Sequence, residues 1–303
     1  MLTYWRLPVL AIFLPVLAYG LAPDAVTLTV SADRTDYGQP VLLKATLRSP
    51  GPGKVTFYDG ATILGIVQVS GREAVLATPL LPTGDRMLRA YYSGDSTHEP
   101  AGSAVVPHIV KAGASLGFHM PLKFGFTAQA VSIVTGDFNG DGHMDFASVD
   151  GQSNEIQVFL GDGAGGFHAP ITYTTPAVAL ALAVGDFNGD GHDDIAVAGR
   201  YGPGIAILAG NGDGTFQAPV IVAAEISADF LAVGDFNGDG KADLTAVSNS
   251  ASSVTILLGN GDATFQPPAS YPVAISPVSA VIADFNHDGY ADVAVAVRAP
   301  SAS

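Results

Sequence analysis

Asp186-Phe187-Asn188-Gly189-Asp190-Gly191-His192-Asp193-Asp194 is the second of four related nonapeptides in this chain. The others open at Asp137, Asp235 and Asp284, each 49 residues after the last, and only the fourth departs from the pattern, with His287 where the others have Gly. A second marker, Phe-x-x-Pro, keeps the same step at Phe118, Phe167, Phe216 and Phe265. Two independent markers locked to one period define a repeated structural unit, and a period of this length points to a solenoid, a propeller or an array.

The residues around the second nonapeptide predict what one unit contains. Ile171–Thr174 reads as a strand, Ala179–Val184 as another, and Ile195–Ala198 and Ile205–Ala209 follow the acidic loop. Gly210-Asn211-Gly212-Asp213-Gly214 then turns the chain back to Phe216. Four short strands per repeat is the content of one propeller blade. The apolar spacing of three and four that a helix needs is missing, and the coils of a parallel β-helix repeat in far fewer residues.

The loop itself carries chemistry. Asp or Asn at every second position places short oxygen-bearing side chains where a hard cation can be ringed, and Ca²⁺ takes about six to eight oxygens. In the second copy the candidate donors are Asp186, Asn188, Asp190, the backbone carbonyl of His192, and Asp194. The first copy offers Asp137, Asn139, Asp141, His143 and Asp145, and the third Asp235, Asn237, Asp239, Lys241 and Asp243. The fourth offers Asp284, Asn286, Asp288, Tyr290 and Asp292. Position 7 is His, His, Lys and Tyr, as expected where only the carbonyl matters. Such Asp residues could simply form turns, but four copies in one phase favour about four structural Ca²⁺ ions. Mg²⁺, which demands a small regular octahedron, suits the loop less. The repeat Phe residues Phe138, Phe187, Phe236 and Phe285 are expected to point toward the core. The Gly-rich strings Gly161–Gly166, Gly210–Gly214 and Gly259–Asp262 read as hairpin turns rather than further cation sites.

Charge follows the same division. Residues 1–113 carry nine Lys or Arg against eight Asp or Glu, whereas residues 114–303 carry four against twenty, giving a net charge of −15. Twelve of those twenty acids are the Asp residues at positions 1, 5 and 9 of the nonapeptides, so the acidity sits in the loops. A nucleic-acid partner would need clustered Lys and Arg and is not expected. With no cysteine, disulfides, thiolate metal sites and a cysteine nucleophile are excluded. Five of the seven His residues (His119, His143, His168, His192 and His287) fall in or beside repeat motifs, and no Ser-His-Asp or zinc-type arrangement emerges, so no enzymatic activity is expected.

The N-terminus reads as a secretory signal over residues 1–22: Arg6, the apolar run Leu7–Tyr19, then Gly20-Leu21-Ala22 as a cleavage site. The run is shorter than a spanning helix needs, and Pro8 and Pro15 would disturb one. No stable membrane span is expected after cleavage, and the localisation expected is secreted or cell-surface. Residues 24–112 alternate strands with turns: Val26–Val30, Val41–Leu47, Lys54–Tyr58, Ile63–Val69, Ala74–Thr78 and Met87–Tyr92. That pattern suits an immunoglobulin-like sandwich. Asp59 and Asp95 fall in turns and are read as turn formers.

Two resemblances attach to these residues. Gly53–Gly60 (Gly-Lys-Val-Thr-Phe-Tyr-Asp-Gly), Leu81-Pro82-Thr83-Gly84 and Ala90-Tyr91-Tyr92-Ser93-Gly94-Asp95 resemble the bacterial Ig-like repeat of large surface proteins. That resemblance implies a display or spacer role, and no chemistry is assigned to the domain. The nonapeptides are similar to the calcium loop of FG-GAP/VCBS repeats, the blades of the integrin-alpha-type propeller. The expected fold is therefore all-β: an Ig-like sandwich followed, over residues 113–303, by an incomplete propeller of about four 49-residue blades.

The expected function is a calcium-binding adhesion or ligand-binding module for a cell-surface protein or glycan, displayed on the sandwich. An accessory domain of an extracellular hydrolase or lyase and a purely structural part of a larger surface protein are the alternatives. Antiparallel order puts the acidic loops and Gly-rich hairpins at one end of the blades and the more variable loops at the other. Asp150, Asn154, Arg200, Tyr201 and Asn249 at that second end are the candidate ligand contacts. The array stops just after the strand following the fourth loop, short of the four to eight blades of closed propellers. Truncation of a longer product is the preferred explanation, and self-association of two copies through open edges is the other.

Overall fold

A computed structural model describes residues 3–4, 26–78, 81–112, 130–176, 178–199, 204–273, 276–285 and 290–298. The predicted signal segment lies outside these residues, apart from β1 (Thr3–Tyr4), which pairs with the last strand of the array. Among the described residues no helix is long and apolar enough to cross a membrane.

The first domain is a two-sheet sandwich. One sheet orders β2 (Val26–Val30), β4 (Val41–Leu47) and β7 (Glu73–Thr78). The other contains β3 (Arg34–Asp36), β10 (Val106–Lys111), β8 (Gly84–Tyr92), β5 (Lys54–Asp59) and β6 (Thr62–Gln68), with β9 (Ala101–Gly102) beside β8. Alternation builds the core: Leu43, Ala45 and Leu47 of β4 meet Val55, Phe57, Leu88 and Ala90 of the facing sheet. β3 and β10 were not expected. They pair in parallel, and the buried His108 of β10 bonds Thr35 of β3 and the Ala32 carbonyl. Asp59 and Asp95 sit in turns as expected. Asp95 accepts from Thr97 and His98, and these bonds, Thr97 foremost, hold its carboxyl below the usual range.

The repeats form sheets of one design. The first comprises β11 (Ser132–Gly136), β12 (Asp145–Val149), β13 (Glu155–Phe159) and β14 (Ile171–Thr174). The second comprises β15 (Ala181–Gly185), β16 (Asp194–Ala198), β17 (Ile205–Leu208) and β18 (Val220–Ala223). The third comprises β19 (Phe230–Gly234), β20 (Asp243–Ser248), β21 (Ser253–Leu257) and β22 (Ala269–Pro272). The fourth holds β23 (Pro277–Ala283) and β24 (Asp292–Val297), with β1 against β24. All pairings within these sheets are antiparallel, so the acidic loops share one end.

Stacking of neighbouring sheets explains the strand compositions. β16 is buried along its whole length. Its Ile195 and Val197 join the core shared with the first sheet, while Ala196 and Ala198 join the core shared with the third. Period-2 alternation, which separates core from solvent in a one-sided sheet, here separates two neighbours. The repeat Phe rings close these seams. Phe138 meets Phe216 edge-on at 5.3 Å, and Phe187 meets Phe265 at 5.8 Å. Phe285 departs from expectation: it is 46% exposed, against 1%, 1% and 5% for Phe138, Phe187 and Phe236. Phe236 clusters with Ala280, Ala291 and Val295 at the next sheet, a packing that Phe285 does not share.

Candidate metal centre

Each nonapeptide bridges the first and second strands of its blade. Its ninth residue opens the second strand and pairs with the residue just before the loop, as in Gly185 with Asp194. Two tight reversals fit in between because Gly189 and Gly191 adopt φ of 71° and 90°, a region that penalises any side chain.

In the second loop the carboxylates are held by backbone N–H groups. Asp186 Oδ1 accepts from Gly189 N at 2.5 Å and Asp190 N at 3.1 Å, and its Oδ2 accepts from Gly191 N at 2.9 Å. Asn188 Oδ1 accepts from Asp190 N and Asp190 Oδ1 from His192 N, at 2.8 and 2.9 Å. Asp194 does something the sequence reading missed. Its Oδ2 accepts from Phe187 N at 2.8 Å, while its Oδ1 reaches Gly210 N of the Gly-rich hairpin at 2.8 Å. Asp145 makes the same pair of bonds to Phe138 and Gly161, and Asp243 to Phe236 and Gly259. In the fourth loop Asp292 accepts from Phe285 N at 3.0 Å. The ninth carboxylate thus staples the acidic loop to the hairpin of its own blade. The 16-residue interval from each Asp to a Gly was the available signal.

The hairpins in turn join neighbouring blades. Gly214 N donates to the Phe138 carbonyl and Ala263 N to the Phe187 carbonyl, each at 2.9 Å. Asp162, Asp213 and Asp262 accept backbone N–H groups two residues on, so these strings are turns, as expected. Asp193, the position-8 acid of the second loop alone, reaches sideways to accept Asp137 N of the first loop at 3.2 Å. Burial foremost, with the Asp137 and Asp186 charges adding, pushes its carboxyl up to about 6.

The sandwich also reaches these loops. Tyr58 OH donates to Asp235 Oδ2 at 2.6 Å, and Thr56 Oγ1 to the Gly240 carbonyl at 2.5 Å. Lys54 Nζ donates to the Gly189 carbonyl at 2.7 Å. The outer face of β5 therefore lies on the second and third loops, where a spacer would leave it in water.

The donor set suits a hard divalent cation. Oxygen is offered at positions 1, 3, 5 and 9, with neither sulfur nor nitrogen ligand needed. The ninth carboxylates of the first three loops are almost solvent-free, and burial pushes Asp194 and Asp243 up to about 7, with the neighbouring loop carboxylates adding. Burial likewise raises Asp137, Asp145, Asp186 and Asp235. Within the third loop Lys241 pairs with Asp239 at 3.3 Å. Crowded, desolvated carboxylates of this kind call for added positive charge. Among the described residues, however, no three carboxylate or imidazole groups already converge on one metal position, because each carboxylate turns toward backbone N–H groups. The side chains of His143, His192 and Lys241 lie against Gly163, Gly212 and Gly261 of the hairpins. Asn286 and Asp288 lie outside the described residues.

At the opposite end, Asp150 Oδ1 accepts from Gln152 N and Ser153 N, at 2.8 and 2.7 Å, and so shapes its own loop. Asn249 N donates to Asp229 Oδ2 at 2.8 Å, and Asn154 is exposed. Arg200 and Tyr201 lie outside the described residues.

Comparison with known proteins agrees with this architecture. The FG-GAP-like repeat family matches residues 137–197, 186–246 and 235–295, together more than half of the chain. The bacterial Ig-like domain (group 3) matches residues 28–111. No curated protein matches the chain. Among solved structures, an auxiliary nutrient binding protein from Bacteroides ovatus is similar at 12% identity and a TM-score of 0.37, over 90% of this chain and 81% of that one. The fibronectin(III)-like modules of Clostridium thermocellum CbhA are similar at 18% identity and 0.25, over 64% and 90%. At such TM-scores the likeness carries no functional information. FG-GAP repeats commonly bind calcium, and their combination with a bacterial Ig-like domain is typical of surface and secreted proteins. The chain belongs to the FG-GAP-like repeat family, with a bacterial Ig-like group 3 domain preceding its repeats.

Proposed function

We propose that the chain is a calcium-stabilised recognition module of a secreted or cell-surface protein, and that it binds a protein or glycan without transforming it. One observation carries the calcium part: the same desolvated carboxylates recur at a 49-residue step in loops almost devoid of compensating cations. Ca²⁺ would supply that charge. Asp137, Asn139, Asp141, the His143 carbonyl and Asp145 would hold it in the first loop, and the matching residues in the other three. Its role is structural, fixing loops on which neighbouring hairpins rest. Extracellular calcium modules bind at about 10⁻⁴–10⁻³ M, and similar affinity is expected here.

Recognition falls to the other end, whose loops vary between units while the acidic loops stay constant. Asp150, engaged in its own turn, acts by shaping its loop; Asn154, Asn249, Arg200 and Tyr201 are the contacts. Glycan and protein arrays probed with the calcium-loaded chain test this reading. Saturable binding that the Asn154→Ala, Asn249→Ala double variant weakens supports it. Absence of binding in both arrays, or hydrolysis of an arrayed ligand, overturns it.

A further inference from the structure

We propose that the Ig-like sheet is a built-in cap on the second and third acidic loops, and that Tyr58 is a positioning residue for the cation of the third. This rests on the calcium reading above.

The outer face of a sandwich normally meets water and produces alternating burial. β5 breaks that rule, with its four central residues all buried. Val55 and Phe57 fill the sandwich core, as the inner face should. Thr56 and Tyr58 point the other way, yet Thr56 is 3% and Tyr58 0% exposed. The repeat array covers them. The Arg89 guanidinium lies 4.0 Å over the Tyr58 ring and fixes its orientation. Apolar contacts extend the seal, with Ile63 packed on the core between the second and third blades and Ala61 on the core between the third and fourth. Glycine permits the approach: a Cβ at Gly240 would come within 2.9 Å of Thr56 Oγ1 and 3.0 Å of the Tyr91 ring.

The polar contacts fall on the cation loops. Asp235 is the first donor of the third loop, and its Oδ2 takes both Gly240 N at 3.0 Å and Tyr58 OH at 2.6 Å. The equivalent Asp137 and Asp186 oxygens are held by backbone N–H groups of their own loops. A hydroxyl that orients a ligating carboxylate tunes the metal site, and its loss typically costs ~10–100-fold in affinity. Coupling of this kind is reciprocal: if the cap sharpens the third site, the cation in that site tightens the cap.

The test uses the full chain and Ca²⁺ alone, by calorimetric titration of wild type, Tyr58→Phe and Thr56→Val. Solution scattering of wild type with and without Ca²⁺ runs alongside and needs no variant. Tyr58→Phe should weaken one site about tenfold and leave the others unchanged, a selectivity that general destabilisation would not produce. Thr56→Val should weaken the same site. Wild type should expand when Ca²⁺ is removed, as the sandwich lifts off. Unchanged or tighter binding by Tyr58→Phe, or scattering indifferent to Ca²⁺, overturns the cap while leaving calcium binding intact. Absence of any Ca²⁺ binding by wild type overturns both.

Discussion

Strip the protein of divalent cations, transfer it to metal-free buffers from about pH 4 to about pH 8, and its stability should fall as the pH rises. Asp194 and Asp243 drive this. Each is pushed up to about 7 by burial, from an ordinary value near ~3.9. Between those limits the folded chain retains a proton that the unfolded chain has released, so unfolding gains as pH rises. At ~1.4 kcal/mol per pK unit, holding each carboxylate ionised costs about 4 kcal/mol, as an order of magnitude. The exposed turn formers Asp162, Asp213 and Asp262 are shifted the other way by their turn hydrogen bonds. Their contribution is present above ~4 and lost only below it, outside this window. Saturating Ca²⁺ should reverse the slope, because the ion binds the ionised loop and displaces protons. Urea midpoints at fixed pH, with and without Ca²⁺, are the assay. A falling slope that persists unchanged in Ca²⁺, or a flat profile without it, refutes the reasoning.

Further outcomes separate the staple from the cation ligands. Asp194→Asn places an amide N–H₂ against a backbone N–H, which should cost about 1–3 kcal/mol, but it also removes a carboxylate that is costly to ionise; it should therefore flatten the cation-free pH profile of the urea midpoint. Asp190→Asn, in the exposed part of the same loop, should change cation-free stability by no more than ~0.5 kcal/mol yet weaken Ca²⁺ binding in calorimetry. Ile195→Ala, in the core between the first two blades, should cost about 2–5 kcal/mol with or without Ca²⁺. Gly240→Ala combines a φ of 82° with crowding against Thr56; it should cost about 1–3 kcal/mol, seen as a lower melting temperature.

The repeat was legible because every blade solves the same packing problem with the same residues, so the strands around Asp194 could be placed within two or three positions. The acidic loops were legible because hard-cation chemistry leaves a spacing that no strand or helix needs. Other features carry no such mark. Arg34-Thr35-Asp36 lacks apolar alternation and becomes a strand only through its parallel partner and the buried His108. Lys54, Thr56 and Tyr58 read as the solvent face of a sandwich strand, and nothing local announces that another domain covers them. Phe285 shows the opposite failure, where a repeat position predicts burial and the side chain is instead 46% exposed.

The central claim is that the nonapeptide loops hold Ca²⁺. Counting bound ions by native mass spectrometry tests it most directly, on protein exchanged into about 1 mM Ca²⁺. The account predicts several Ca²⁺ ions per chain, and the loss of one when Asp186 and Asp190 are both replaced by Asn. A chain that carries no Ca²⁺, or a variant that keeps the full complement, would contradict it.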